Sequence, residues 1–457
     1  MHSKIVLAIG ILSCLTLGPA SGADTAIKIS GDITAQYVTR DLSLGSKYSQ
    51  FGFNTSDAED FLLAQTRLRF DADIDETTSA VIRLLSERSW GAEDEALLNA
   101  QNHESQVQLD VAYLRVEEFF GLPLTLRAGR QRLKFGRGFI IGDPDSDRFV
   151  AANSFIYNLA DDLSLRKSFD SLRATIDLSP LVIDLVYAKI EENFSDIKDD
   201  VTLNGCNAAY QFDQALIEGY FWAKENNDKG VNNNAPSQEY ATRIFTAGLR
   251  AEGTITERLF LYGEYAYQFG DYIGQAAGPS QKMRSFAGQA GLHYQCRDPH
   301  NSQVGLEYSY ASTDDGDTPD RFETWDVMFE DQRTGEIAQI FWSRGLHYLK
   351  LSCSTMPRHN LRVGFDLYYL RLSDSWLKGN GSVDAAYPVG TPVNGNVYTL
   401  DYNKKELGSE IDPYVFYDYS ENIRLGFICG FFIPGSMWNE TNDSTAYSVR
   451  TFAKLSF

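Results

Sequence analysis

After residue 17 the chain contains no apolar run of the ~18 residues that a membrane-crossing helix requires. Cysteine is scarce, five in 457 residues, and no two form a CxxC pair. That spacing speaks against a disulfide framework and against a zinc site. Beyond Cys14 the cysteines are Cys206, Cys296, Cys353 and Cys429. Cys429 falls in phase with Ile423, Leu425, Phe427 and Phe431, where a cysteine acts as a small hydrophobe. Positive charge is also short: 41 Lys and Arg stand against 62 Asp and Glu, a net charge of -21, which argues against nucleic acid as a partner. The six histidines are scattered, and no motif points to a metal or a cofactor.

What is present begins with a leader. Lys4 precedes an apolar run from Ile5 to Leu17, and Ser21-Gly22-Ala23 supplies small residues before Asp24. The expected organisation is a signal peptide over 1–23 and a single exported domain over 24–457.

That domain reads as strands. In residues 26–40, Ile27, Ile29, Ile33, Ala35 and Tyr37 alternate with Lys28, Ser30, Asp32, Thr34 and Gln36. Period-two alternation gives one apolar and one polar face. Residues 61–75 and 445–457 repeat it, and the chain ends on Phe457. The pattern predicts eighteen strands, with sixteen as the alternative. Most run 11–15 residues, against about 5–6 in soluble sheets. Connectors alternate between short (179–180, 420–421) and long (42–60, 90–104, 136–166, 314–343, 374–404). Outer-membrane barrels have short periplasmic turns and long outer loops. Tyr265, Tyr267, Phe269, Tyr308, Tyr310, Tyr417 and Tyr419 cluster near strand ends, as interfacial girdles do. The expected fold is all-β: one transmembrane antiparallel barrel in the outer membrane of a Gram-negative-type bacterium. At this width the interior holds an aqueous channel unless loops plug it. Passage of a solute is therefore the expected function, not catalysis; His293 and His347 lie on strands but lack the context of a nucleophile.

The polar phase gives candidate pore-lining and substrate-binding residues: Arg40, Arg67, Arg69, Arg83, Arg173, Arg362 and Arg450. Residues 126–137, LRAGRQRLKFGR, add Arg127, Arg130 and Arg132, with Lys134 and Arg137 close by and no acid among them. Arg130 and Arg132 are out of phase with Arg127. A bulge near Gly129, or an early end to the apolar zone, is expected to turn them inward. Arginine's planar fork suits carboxylate or phosphate, and basic rings are the usual route to anion selectivity. Residues 314–336 hold nine acids and two bases and read as a solvated outer loop; the DDGD turn lacks the spacing of a calcium loop.

Four stretches in order, LTLRAGRQRLKFGRGFIIGD (124–143), SFDSLRATIDLSPLVIDLVYA (168–188), SYASTDDGDTPDRFETWDVMF (309–329) and ELGSEIDPYVFYDYSENIRLGFICGFFIPGSMW (406–438), resemble the alginate-export family of outer-membrane barrels. The GRQ signature maps to Gly129, Arg130 and Gln131, and STDDGD at 312–317 departs from the family's simpler SGD turn. The resemblance implies an eighteen-stranded barrel that passes a polyuronate through an arginine-lined constriction. The expected partners are an anionic polysaccharide or small anionic solute, outer-membrane lipid and lipopolysaccharide, the barrel-assembly machinery and periplasmic export components. A general porin for small anions or sugars is the alternative.

Overall fold

A computed structural model of the chain describes residues 26–41, 59–90, 107–145, 163–191, 200–226, 242–272, 280–314, 318–340, 345–373, 404–438 and 443–457. The expected leader lies outside them, as do parts of the long connectors.

The strands in the first half are β1 (Ala26–Asp41), β2 (Glu59–Asp73), β3 (Thr78–Ser89), β4 (Gln108–Val116), β5 (Leu124–Gln131), β6 (Phe169–Leu178), β7 (Leu181–Glu191), β8 (Val201–Gln211) and β9 (Ala215–Asn226). Those in the second are β10 (Thr242–Thr256), β11 (Leu259–Tyr272), β12 (Gln281–Gln295), β13 (Gln303–Ala311), β14 (Arg321–Phe322), β15 (Leu346–Arg358), β16 (Leu361–Leu372), β17 (Glu406–Asp418), β18 (Ile423–Pro434) and β19 (Ala446–Ser456). They form one nineteen-stranded sheet; β14 has two residues and belongs to a connector, so eighteen strands build the wall. Every expected strand is found, and the sixteen-stranded alternative falls away. Neighbouring wall strands pair antiparallel, and β1 pairs with both β2 and β19, which closes the barrel. Gly31 and Phe457 extend the closing ladder by exchanging backbone hydrogen bonds of 2.9 and 3.0 Å.

Burial is inverted relative to a water-soluble protein. Ile27, Leu172 and Leu249 are 61%, 54% and 66% exposed, whereas Gln36, Thr246, Gln268 and Ser285 are buried. Exposed large apolar residues in a continuous band are what lipid solvates, and the buried polar face is the interior. On the outer face Phe221, Phe245 and Phe269 form a ring cluster with centroids 5.4–6.4 Å apart, and Tyr265, Tyr308 and Tyr419 are exposed.

The interior is partly filled by two connectors. Trp325, Val327, Met328 and Phe329 are buried with Leu133, Phe139, Ile140 and Ile141 against Phe169, Trp222 and Ile244 of the wall. Ile141 and Phe329 form a parallel bridge between the connectors. β13 stops opposite Ala287, which leaves the end of β12 without a neighbour on that side. β14 fills this edge in parallel, and Phe322 stacks on Tyr272 with centroids 3.6 Å apart. The expectation of a solvated acidic loop is thus corrected for the described parts of 314–336. Its run Trp325–Phe329 sets one acid, Asp326, among four apolar side chains, and the inner wall offers both an apolar surface and a basic partner.

Candidate functional site

On β4, β5 and β6 three arginines stand side by side. Arg115 faces Arg127 across one ladder, and Arg127 faces Arg173 across the next. They share a phase with Gln131, Ser171 and Asp184, all buried, so the row is on the inner face. Like charges directly opposite repel. The flanking members are neutralised: Arg173 donates to both oxygens of Asp184 at 2.7 and 2.9 Å, and Arg115 pairs with Glu117. Arg127 is different. Among the described residues no carboxylate pairs with it, its Nε is buried without an acceptor, and its guanidinium stands 5.9 Å from the Tyr113 ring centroid. Arg115 was not among the sequence candidates, although Tyr113 and Val111 share its phase.

Gly129 lies between Tyr113 and Ser171, with φ +124°. A Cβ there would collide with the Ala112 carbonyl oxygen, so only glycine lets β5 come this close to β4. The ladder runs through Gly129 without a register shift, so the expected bulge is absent. Arg130 therefore keeps the phase of Leu126 and Ala128, whose neighbours Leu114 and Leu172 are exposed to lipid. It points outward at the end of the strand with Asp170, 3.9 Å away. The inward expectation for Arg130 is corrected on that ground. Arg132 lies past the end of β5, is exposed, and donates to the Leu165 carbonyl at 2.9 Å.

The remaining candidates keep the inward phase and differ in their partners. Arg67 forks onto Asp32 at 2.9–3.2 Å, and Arg69 onto Asp71 at 2.6 and 2.8 Å. Arg83 reaches the fully buried Asp110 at 2.6 Å, through a register shift between β3 and β4. Arg40 is buried with its guanidinium 5.4 Å from the Phe61 ring. Arg450 holds both oxygens of Glu336 at 2.9 and 3.0 Å. Arg362 is exposed, opposite Phe416.

Glu336 belongs to the long connector between β13 and β15, which crosses the interior. Near its start Asp326 pairs with Lys224 of β9 at 3.1 Å, both side chains buried, and Gln268 of β11 accepts from the Asp326 N–H and donates to the Asp326 carbonyl. Midway, Asp331 receives Lys134 at 2.8 Å and Lys167 at a shorter distance. Burial pushes the Asp331 carboxyl up, but the two lysines more than offset this, and it ionises below the usual 3.8. Burial raises Asp143, which shares Lys167 at 3.4 Å. At the far wall Glu410 of β17 accepts the backbone N–H groups of Glu336, Ile337 and Ala338 at 2.6–2.8 Å. The connector is thus a strap tied to opposite sides of the barrel. Lys167, Lys224 and Glu410 had no signal in the sequence beyond their phase, because the strap that selects them is far away in the chain.

A closed eighteen-stranded barrel, apolar outside, polar and charged inside, narrowed by inward connectors, is the architecture of an outer-membrane channel. Solved porins share the fold: Pseudomonas aeruginosa OccK11 (OpdR) at TM-score 0.53 and 13% identity over 94% of this chain and 96% of that one, P. aeruginosa OccK2 (OpdF) at 0.54 and 10% over 94% and 98%, and Acinetobacter baumannii OccAB4 at 0.52 and 12% over 96% and 100%. The family model for alginate export matches residues 45–452, and the chain belongs to that family, in the Gram-negative outer membrane. No curated protein matches the sequence.

Proposed function

We propose that the channel passes an anionic saccharide, a polyuronate or its oligomers, along the row formed by Arg115, Arg127 and Arg173. The observation that carries this reading is Arg127: an inward arginine between two others, without a carboxylate of its own. Its fork is free to take one from a solute, and its neighbours raise the local potential. Arg132, exposed past the end of β5, extends the positive surface. Arg67, Arg69, Arg83 and Arg450 act as braces, since each is held by an acid of the wall or strap. Fixed charges act over about a Debye length, ~8 Å at physiological salt, so a solute carboxylate passing the row stays within reach of it. Each contact must be weak enough to release, because a deep well stops conduction. Solved OccK2, which shares the fold, was crystallised with glucuronate, in keeping with a carboxylated sugar as the solute class.

The test is block of single-channel current in a planar bilayer. An oligouronate is expected to block at lower concentration than a neutral oligosaccharide of the same length. Equal block by the two would remove the anionic reading and leave a general sugar porin.

A further inference from the structure

A second feature of the inner face lies on the wall away from the arginine row. Arg362, Phe416, Gly426 and Phe452 are consecutive cross-strand partners over β16, β17, β18 and β19. They stand one to four residues from the strand ends that carry the short turns, so the row is near the periplasmic mouth. Gly426 puts no side chain between the two phenylalanines, and a Cβ there would collide with the Phe452 ring. The rings of Phe416 and Phe452 have centroids 6.1 Å apart, and Tyr414 stacks beside Phe416 at 5.1 Å and 24°. Tyr414 in turn lies over Gly364, where a Cβ would meet the ring. The glycines let the rings lie down on the wall instead of standing into the channel. All three rings are half-buried, so each keeps a face toward the interior. Beside them Arg362 is exposed; among the described residues no carboxylate pairs with it, and its Nη2 has only the Met356 sulfur at 3.9 Å.

We infer that this patch is a saccharide-stacking site that takes a pyranose bearing a carboxylate, the sugar's C–H face on the rings of Tyr414, Phe416 and Phe452 and its carboxylate on Arg362. The inference deepens the anionic-saccharide reading above and rests on it for the carboxylate. An aromatic face is the negative end of a quadrupole and attracts the polarised C–H bonds of a pyranose. A core role for the rings would bury both faces, and a lipid girdle would put them on the outer wall. Neither holds here. The unpaired guanidinium next to the rings adds the second half of a uronate: flat apolar face, charged edge. The site would be the first contact for a chain entering from the short-turn side.

The experiment uses the full-length channel in a planar bilayer, with probes added on the short-turn side: tetraglucuronate, a neutral cello-tetraose, and tetraglutamate, which has carboxylates but no sugar ring. Phe416→Leu with Phe452→Leu keeps apolar volume and removes the ring faces. Half-blocking concentrations for both saccharides should rise about tenfold, equivalent to ~1.4 kcal/mol, with block by tetraglutamate unchanged. Arg362→Gln should weaken tetraglucuronate alone among the saccharides. Gly426→Leu, which keeps both phenylalanines but displaces Phe452, should reproduce the loss. The heat-modified gel shift of folded barrel reports whether each variant has assembled. Undiminished saccharide block in the folded double-Leu variant overturns the stacking site and leaves the arginine row standing. Saccharide block that depends on the rings, but with tetraglucuronate no better than cello-tetraose in the wild type, keeps the stacking site and overturns the anionic reading. Wild-type channels that no probe blocks overturn both.

Discussion

Lys224 on β9 and Arg450 on β19 stand on opposite walls of the barrel, and a single connector neutralises both, Lys224 through Asp326 and Arg450 through Glu336. The two bases fix where the acidic strap begins and ends its crossing. The strap narrows the interior on one side of the arginine row, and these ion pairs hold it in place.

The first consequence concerns Asp326. Removing one partner of a buried pair typically costs about 3–5 kcal/mol, because the other charge stays buried and alone. Asp326→Ala should therefore release this end of the strap and raise single-channel conductance while the barrel remains assembled. Replacing both partners, Lys224→Met with Asp326→Leu, should restore a conductance close to wild type, since an apolar pair of similar volume is often neutral. An unchanged conductance in the single variant would show that the strap is held elsewhere.

The arginine row makes a stability prediction with two signs. Arg173→Gln leaves the buried Asp184 without its fork and should destabilise the barrel by roughly 3 kcal/mol, read as a lower urea midpoint in detergent. Arg127→Gln removes an unpaired charge that faces two like charges, and the midpoint should hold or rise. Comparable losses in both would mean that Arg127 has an acidic partner after all.

Acid should act on the strap through Asp331. Its folded value lies below the usual 3.8, so its grip on Lys134 and Lys167 is present above that value and lost as pH falls through the lower one. Asp143 is raised, so it protonates first on acidification. That loses only one of the two carboxylates around Lys167. Conductance should stay level from about pH 7 to about pH 5 and rise only near or below pH 4. A rise between pH 5 and 7 would assign the strap's hold to a different group.

Much of this was legible in the sequence, and the rest was hidden for identifiable reasons. Period-two alternation fixes which side chains share a face, so Arg67, Arg83, Arg127 and Arg173 could be placed inward without a structure. Connector lengths fix the two ends of the barrel. Neither carries information about pairing across distant segments. Arg83 meets Asp110 only because a register shift brings that acid into reach, and no local pattern marks the shift. For Arg130 the error had the opposite sense: a bulge was expected at Gly129, but the glycine serves close strand approach with the register intact. Residues 314–336 misled because charge count outweighed the buried run from Trp325 to Phe329. The lumenal rings of Phe416 and Phe452 share a face with Asp412 and Asp418 on one strand and with Arg450 and Lys454 on the other, so alternation marked that face as polar and gave no sign of a ring site.

The central claim is that an acidic protein with a net charge of -21 conducts anions because unpaired arginine, not net charge, sets the field in its channel. The most direct measurement is the reversal potential of purified channels under a salt gradient, for the wild type and for Arg127→Glu. The wild type should prefer anions, and the variant, inserted with normal efficiency, should shift toward cations. A wild type that prefers cations, or an inserted variant with the wild-type reversal potential, would contradict the account.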